Sequence, residues 1–227
     1  MSAISLLTSL TQVFFIALGI IMTVDYLRHG GKTRRDIALM FDALTLPFLT
    51  QFSMSVTGIR HLWLEHLNII VLLSQPYLLL RLVQYFQPLA PVVLRTSFVT
   101  MCFMWVMAVI AASVPYAAIT IFQGLIVYFS SVTAYATIIF IRGVLTTTGV
   151  ARQRMGFAAA GSGFLALTFL TYGLILFLPT LTEFLGIATL LASTLSAISY
   201  YVGFAPPRWL RRAWQAAELR RFLSHMN

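Results

Sequence analysis

The sequence predicts an all-α integral membrane protein: a seven-transmembrane-helix bundle followed by a C-terminal amphipathic juxtamembrane helix. Three observations predict it. The 227-residue chain is 59% hydrophobic and only 9% charged, with a mean hydropathy of +0.89, whereas about a quarter of the residues of an ordinary soluble domain are charged. Seven apolar stretches are each long enough to cross a hydrocarbon core, which takes about 20 helical residues. Finally, the positive residues fall almost entirely into one of the two sets of loops that seven spans create.

The first stretch runs from Ser5 to Tyr26. No positive segment precedes its apolar run at Leu6, so it is expected to stay as a helix and not to be removed as a signal peptide. The second, Ile37 to Thr57, is the least apolar, with Asp42, Thr45, Pro47, Thr50 and Gln51. It is expected to face protein more than lipid, and a re-entrant course is left open for it. The third, Leu67 to Phe86, contains Pro76, which with Pro47 is a candidate helix kink, while Pro91 marks the turn that follows. The fourth, Val92 to Ala112, holds the only cysteine, Cys102, which excludes an intrachain disulfide and a multi-cysteine metal site. The fifth runs from Ala117 to Ile141, the sixth from Gly156 to Leu178 and the seventh from Leu181 to Gly203. Small residues recur in the sixth at Gly156, Ala159, Ala160 and Gly163, and in the seventh at Ala188, Ala192 and Ser196. That spacing permits close backbone approach, so these two helices are expected to pack on each other, a homodimer seam being the alternative use of either stripe.

Pro206 and Pro207 end the seventh helix, because the residue before a proline is driven out of the α region, and a proline suits the first turn of a new helix. In that new helix Trp209, Leu210, Ala213, Trp214, Ala216 and Ala217 share one arc, and Arg208, Arg211, Arg212, Gln215 and Glu218 the other. Such a helix is expected to lie along a membrane surface. Arg220 and Arg221 return to the apolar arc, so it is expected to leave the surface there. The chain thus divides into a membrane domain, 1–204, and a juxtamembrane helix, 205–227.

With seven spans, 14 of the 15 positive residues share one set of loops and the other set holds only Arg60. The positive-inside rule then places the N-terminus outside and the C-terminus in the cytoplasm. The formal charge of +9 is accounted for by topology and by contact with anionic lipid, and no nucleic-acid partner is expected. No cofactor is expected either. Lys32 is the only lysine and lies in the first loop, which excludes a covalent retinal. His29, His61, His66 and His225 fall in loops or at helix ends, away from where an intramembrane haem is held. His61 and His66, five residues apart around Glu65, do not share a helical face as an i, i+4 ligand pair would, so no metal is assigned. HExxH, GxSxG and paired-aspartate patterns are missing from the sequence, so no enzymatic activity is read for this segment.

Two polar groupings are candidates for function. Asp25, Asp42, Arg81 and Arg95, with Gln84, form a layer towards the positive end. Asp42 lies about six residues into its stretch and Arg81 about six from the end of its own, which matches their depths at 1.5 Å per residue. Pairing of Asp42 with Arg81 is therefore expected, as a packing clamp or as a switch. Towards the other end Gln51, Asn68, Gln75, Tyr77, Tyr116 and Gln123 are candidates to line a small polar pocket, interhelical hydrogen bonds being the other use of such residues.

The segments QPYLLLRLVQYF, Gln75 to Phe86, and FAPPRWLRRAW, Phe204 to Trp214, together with the seven-span plan, resemble the N-terminal seven-transmembrane sensor region of a bacterial histidine-kinase family. The resemblance implies a sensor and signal-transmission module in a bacterial inner membrane, acting as a homodimer in contact with membrane lipid. Its output would leave through Pro206, Pro207, Trp209 and Trp214 to downstream cytoplasmic sensory and kinase domains. His225 stands outside any phosphoacceptor box, so the kinase activity is expected beyond Asn227. The alternative reading is a small seven-helix transporter or channel, although no internal repeat is evident.

Overall fold

The computed structural model describes residues 3–58, 62–113, 115–207, 209–210 and 212–216. Seven long helices follow one another: α1 (Ala3–His29), α2 (Lys32–Thr57), α3 (Leu62–Val83), α4 (Pro91–Ser113), α5 (Pro115–Thr146), α6 (Gly149–Phe177) and α7 (Thr182–Phe204), with one 3-10 turn at Pro179–Leu181. Each is long and apolar enough to cross a membrane, and no strand occurs among the described residues. This is the membrane-helix bundle that the hydropathy predicts. The re-entrant course is ruled out for the second stretch, because α2 continues as 26 helical residues through Pro47.

Most helices extend beyond an end of their apolar stretch because polar residues at a membrane surface can complete helical turns in water or among headgroups, whereas α3 stops at Val83 and residues 84–86 form a turn, short of the expected end at Phe86. α2 begins at Lys32 and not at Ile37, and α3 begins at Leu62, which places His66 inside a helix. Short connections make successive helices antiparallel. Gly30 and Gly31, at φ of 62° and 99°, reverse the chain between α1 and α2 in a conformation that side chains disfavour. Gly58 closes α2 in the left-handed conformation, its N–H donating to the Met54 carbonyl at 2.9 Å.

Neighbours in sequence are neighbours in space. α3 also touches α5, and contacts between α1 and α7 close the bundle, through a 2.8 Å hydrogen bond between the hydroxyls of Thr11 and Thr194. The core contains Phe15, Phe41, Leu79, Leu82, Phe129, Phe140 and Tyr200, all essentially buried. Outward-facing apolar residues such as Val92, Leu145 and Phe184 are exposed, as expected where lipid is the solvent.

The α6–α7 packing is present and uses Ser196 of the stripe expected on α7, but on α6 it runs through Gly161 and not through Gly156 and Gly163. A Cβ on Gly161 would lie 2.7 Å from the Tyr200 ring, and one on Gly203 would lie 3.1 Å from both Ala158 N and Arg154 O. Ser196 adds a 2.8 Å hydrogen bond to the Gly161 carbonyl. Gly156 and Gly163 instead face α5, where their nearest neighbours are Val144 and Thr137. Two small-residue stripes thus run along α6, one for each neighbour, and spacing alone does not say which stripe meets which helix.

Candidate functional site

The connections α1–α2, α3–α4 and α5–α6 and the chain leaving α7 share one end of the bundle, where the described positive residues gather. Asp36 lies in the second turn of α2 and is fully buried. A bare carboxylate there would be costly, so it collects donors. Arg81, in the last turn of α3, places Nη2 3.0 Å from Oδ1 and 2.9 Å from Oδ2. The Tyr85 hydroxyl donates to Oδ2 at 3.0 Å, and Arg35 Nε approaches Oδ1 at 3.4 Å. Desolvation pushes the Tyr85 phenol above its ordinary pKa, and the Asp36 carboxylate accepting its proton adds to that rise.

This geometry corrects the expected pairing. Arg81 meets Asp36, not Asp42, whose two oxygens accept from Thr23 of α1 at 2.8 and 3.0 Å. Six residues at about 100° each turn the helix by about 600°, leaving Asp36 and Asp42 about 240° apart around α2. A side chain from one direction cannot serve both. Nor do Asp25, Asp42, Arg81 and Arg95 form a single cluster. Asp25 is exposed and pairs with His29 at 3.0 Å and Arg34 at 3.3 Å, while Arg95 and Gln84 are exposed.

Immediately after Tyr85, Phe86 enters an aromatic group at the end of α7. Its ring centroid lies 6.1 Å from that of Phe140 in α5 and 6.2 Å from that of Phe204, the last residue of α7. Phe204 in turn stacks on Tyr200 at 5.6 Å, and Tyr200 meets Phe41 of α2 edge-on at 6.3 Å. Arg154 of α6 completes the joint, donating from Nε to the Gly203 carbonyl at 2.9 Å and from Nη2 to the Phe204 carbonyl at 3.2 Å. The last carbonyls of a helix have no partner within it and carry partial negative charge, so a guanidinium suits them.

Beyond Pro206 and Pro207 the chain is helical again at residues 209–210 and 212–216. Trp214 stacks against Phe157 of α6, with centroids 6.0 Å apart, while Trp209 is 69% exposed. The two tryptophans of the predicted apolar arc therefore do different things. One holds the exit helix to the bundle and the other points away from protein. Arg208, Arg211, Ala217, Glu218, Arg220, Arg221 and His225 lie outside the described residues, as does the expected departure of the helix from the surface.

No family model, curated protein or solved structure matches the chain.

The six pocket candidates have separate surroundings. Gln51 accepts from Gln12 of α1 at 3.2 Å, and Asn68 donates to Thr50 of α2. Gln75 is fully buried in the core, Tyr77 tilts against Phe98 of α4 with centroids 5.4 Å apart, and Gln123 is half-buried on α5. The Tyr116 side chain lies outside those described. None of the six lines the groove over α2 or the groove between α4 and α5. Interhelical packing and hydrogen bonding account for Gln51, Asn68 and Tyr77.

Sequence reasoning missed Asp36, Tyr85, Arg154 and Phe204 as parts of one site. Asp36 follows Lys32, Arg34 and Arg35 and so reads as loop, one residue before the apolar run. Its available signal was phase: Met40 and Leu44, at i+4 and i+8, share its face, and both are buried.

Proposed function

We propose that this chain is the membrane sensor and signal-transmission module of a histidine kinase, passing a stimulus through α7 to cytoplasmic domains that follow it. In this reading it lies in a bacterial inner membrane as a homodimer, N-terminus outside and C-terminus inside, in contact with lipid. The observation that supports it best is the joint at the exit of α7. The Asp36–Arg81–Tyr85 group leads through Phe86 to Phe204, and Arg154 holds the same last turn to α6. A change in the tilt of α2, α3, α5 or α6 relative to α7 therefore acts on one short segment. Pro206 and Pro207 then make the connection stiff, so that movement is transmitted and not absorbed.

The test begins with the gene beyond Asn227, where this reading requires a helical connection followed by kinase motifs. Pro206 and Pro207 are then replaced by Gly and Ser in the full-length protein, and autophosphorylation is followed in membranes. The expected result is kinase activity that no longer responds to the state of the membrane domain. A stop codon directly after Asn227, or unaltered regulation in a variant that inserts and folds normally, would overturn the proposal. The transporter reading draws its support from Asp42, an intramembrane carboxylate beside a groove. It predicts solute-dependent flux in proteoliposomes, which the sensor reading does not.

A further inference from the structure

A groove of about 590 Å³ runs over α2 between α1 and α3, within the size range of small-molecule sites. Leu39, Asp42, Leu46 and Leu49 follow one another along one face of α2, a run of about 15 Å at 1.5 Å per residue. Thr23 of α1 and Ser74 of α3 line its sides. Leu39 and Leu49 are exposed, so the groove opens towards lipid. The Ser74 hydroxyl donates to the Ile70 carbonyl in its own helix, and the Thr45 hydroxyl to the Phe15 carbonyl. Among the described residues, Asp42 is the only ionisable side chain that lines the groove.

Its carboxylate accepts from a single donor, the Thr23 hydroxyl, although a carboxylate has about four acceptor positions. Among the described residues no lysine, arginine or histidine lines the groove. A charge at this depth is expensive without a counter-charge, and the counter-charge has room to come from outside the protein. We propose that the groove is a binding site for a hydrophobic amine, its ammonium on Asp42 and its apolar body along Leu46, Leu49 and Val71. An aminophospholipid is a poor occupant. Asp42 lies about 10 Å further along α2 than Arg35, and an ammonium drawn to that depth would bring its phosphate with it, towards a like charge. The inference does not depend on the signalling reading, since binding is measured on this chain alone.

The test uses a diazirine-bearing octylamine on the protein in phosphatidylcholine nanodiscs, with crosslinked peptides located by mass spectrometry. Saturable labelling is expected on peptides that contain Leu46, Leu49 or Val71, competed by octylamine and at least about tenfold less well by octanol, its neutral counterpart. Asp42→Asn keeps an acceptor for Thr23 and is expected to weaken labelling about tenfold or more, with Asp42→Glu restoring most of it. Leu49→Trp, at the exposed rim, keeps the carboxylate but fills the channel, and is expected to block labelling if Asp42→Asn proves too unstable to use. Equal competition by octanol would reduce the groove to an apolar slot and overturn the proposal. Labelling that survives in folded Asp42→Asn, or that maps elsewhere, would do the same.

Discussion

At the scale of single residues, the burial of Asp36 decides how its neighbours respond to change. Its side chain is 1% exposed against 31% for Arg81, so removing the arginine leaves a buried carboxylate held only by the Tyr85 hydroxyl and the longer contact from Arg35. Arg81→Ala is expected to cost about 3 kcal/mol, the lower end of the range for breaking a buried pair by removing one partner, because Arg35 and Tyr85 stay on the carboxylate. Asp36→Asn combined with Arg81→Ala is expected to cost less than Arg81→Ala alone, and the double-mutant cycle of these two changes on unfolding free energy in detergent checks the coupling. Tyr85 adds a pH dependence. Its folded pKa is raised above the ordinary value of 10.0, first by desolvation and then by the bond to Asp36. A raised pKa means that the folded state holds the proton more tightly, so the contribution is complete below pH 10 and is lost as pH rises through the folded value. Tyr85→Phe is expected to remove that alkaline loss, seen as a flatter thermal stability curve between neutral and strongly alkaline pH.

At the scale of elements, α6 turns different glycines to α5 and to α7. Gly161→Ala sets a methyl 2.7 Å from the Tyr200 ring, which is held in the aromatic group at the α7 exit, whereas Gly163→Ala meets Thr137 Cγ2 at an ordinary 3.6 Å. The first is expected to cost about 1–3 kcal/mol by overpacking and the second less than about 0.5 kcal/mol, measured as paired unfolding curves. The guanidinium of Arg154 works between elements, joining the start of α6 to the end of α7. Arg154→Ala is expected to raise hydrogen exchange at the C-terminal turn of α7 and in residues 209–216, while exchange in the middle of α7 stays unchanged. Protection that drops along the whole helix would mean that the arginine supports the bundle generally and not the joint.

At the scale of the whole molecule, the charge distribution and the bundle agree on one feature. The loops that carry the positive residues lie at the end where α7 exits, which is the end proposed to face the cytoplasm. Reporter fusions after Asn227 are expected to be active only as a cytoplasmic reporter, and fusions in the α2–α3 connection only as an exported one. The reverse pattern would invert the bundle and, with it, the proposed direction of output. The contact between α1 and α7 means that one chain completes its own ring of helices.

The sequence by itself determined the number of spans, their order, the proline break after Phe204 and the end at which positive charge collects. These follow from hydrophobicity and charge summed over some twenty residues at a time, and such sums tolerate boundary errors of several residues. Tertiary structure alone decided which acid meets Arg81, which stripe of α6 meets α7, and that Arg154 and Trp214 tie the exit of α7 to α6. Each of those depends on the rotation of a helix about its axis. In membrane helices that are apolar on nearly every side, little in the residue pattern records that rotation, because lipid and core accept the same side chains. A one-residue error is about 100° of rotation, enough to exchange Asp36 for its neighbours, and only the packed bundle fixes it.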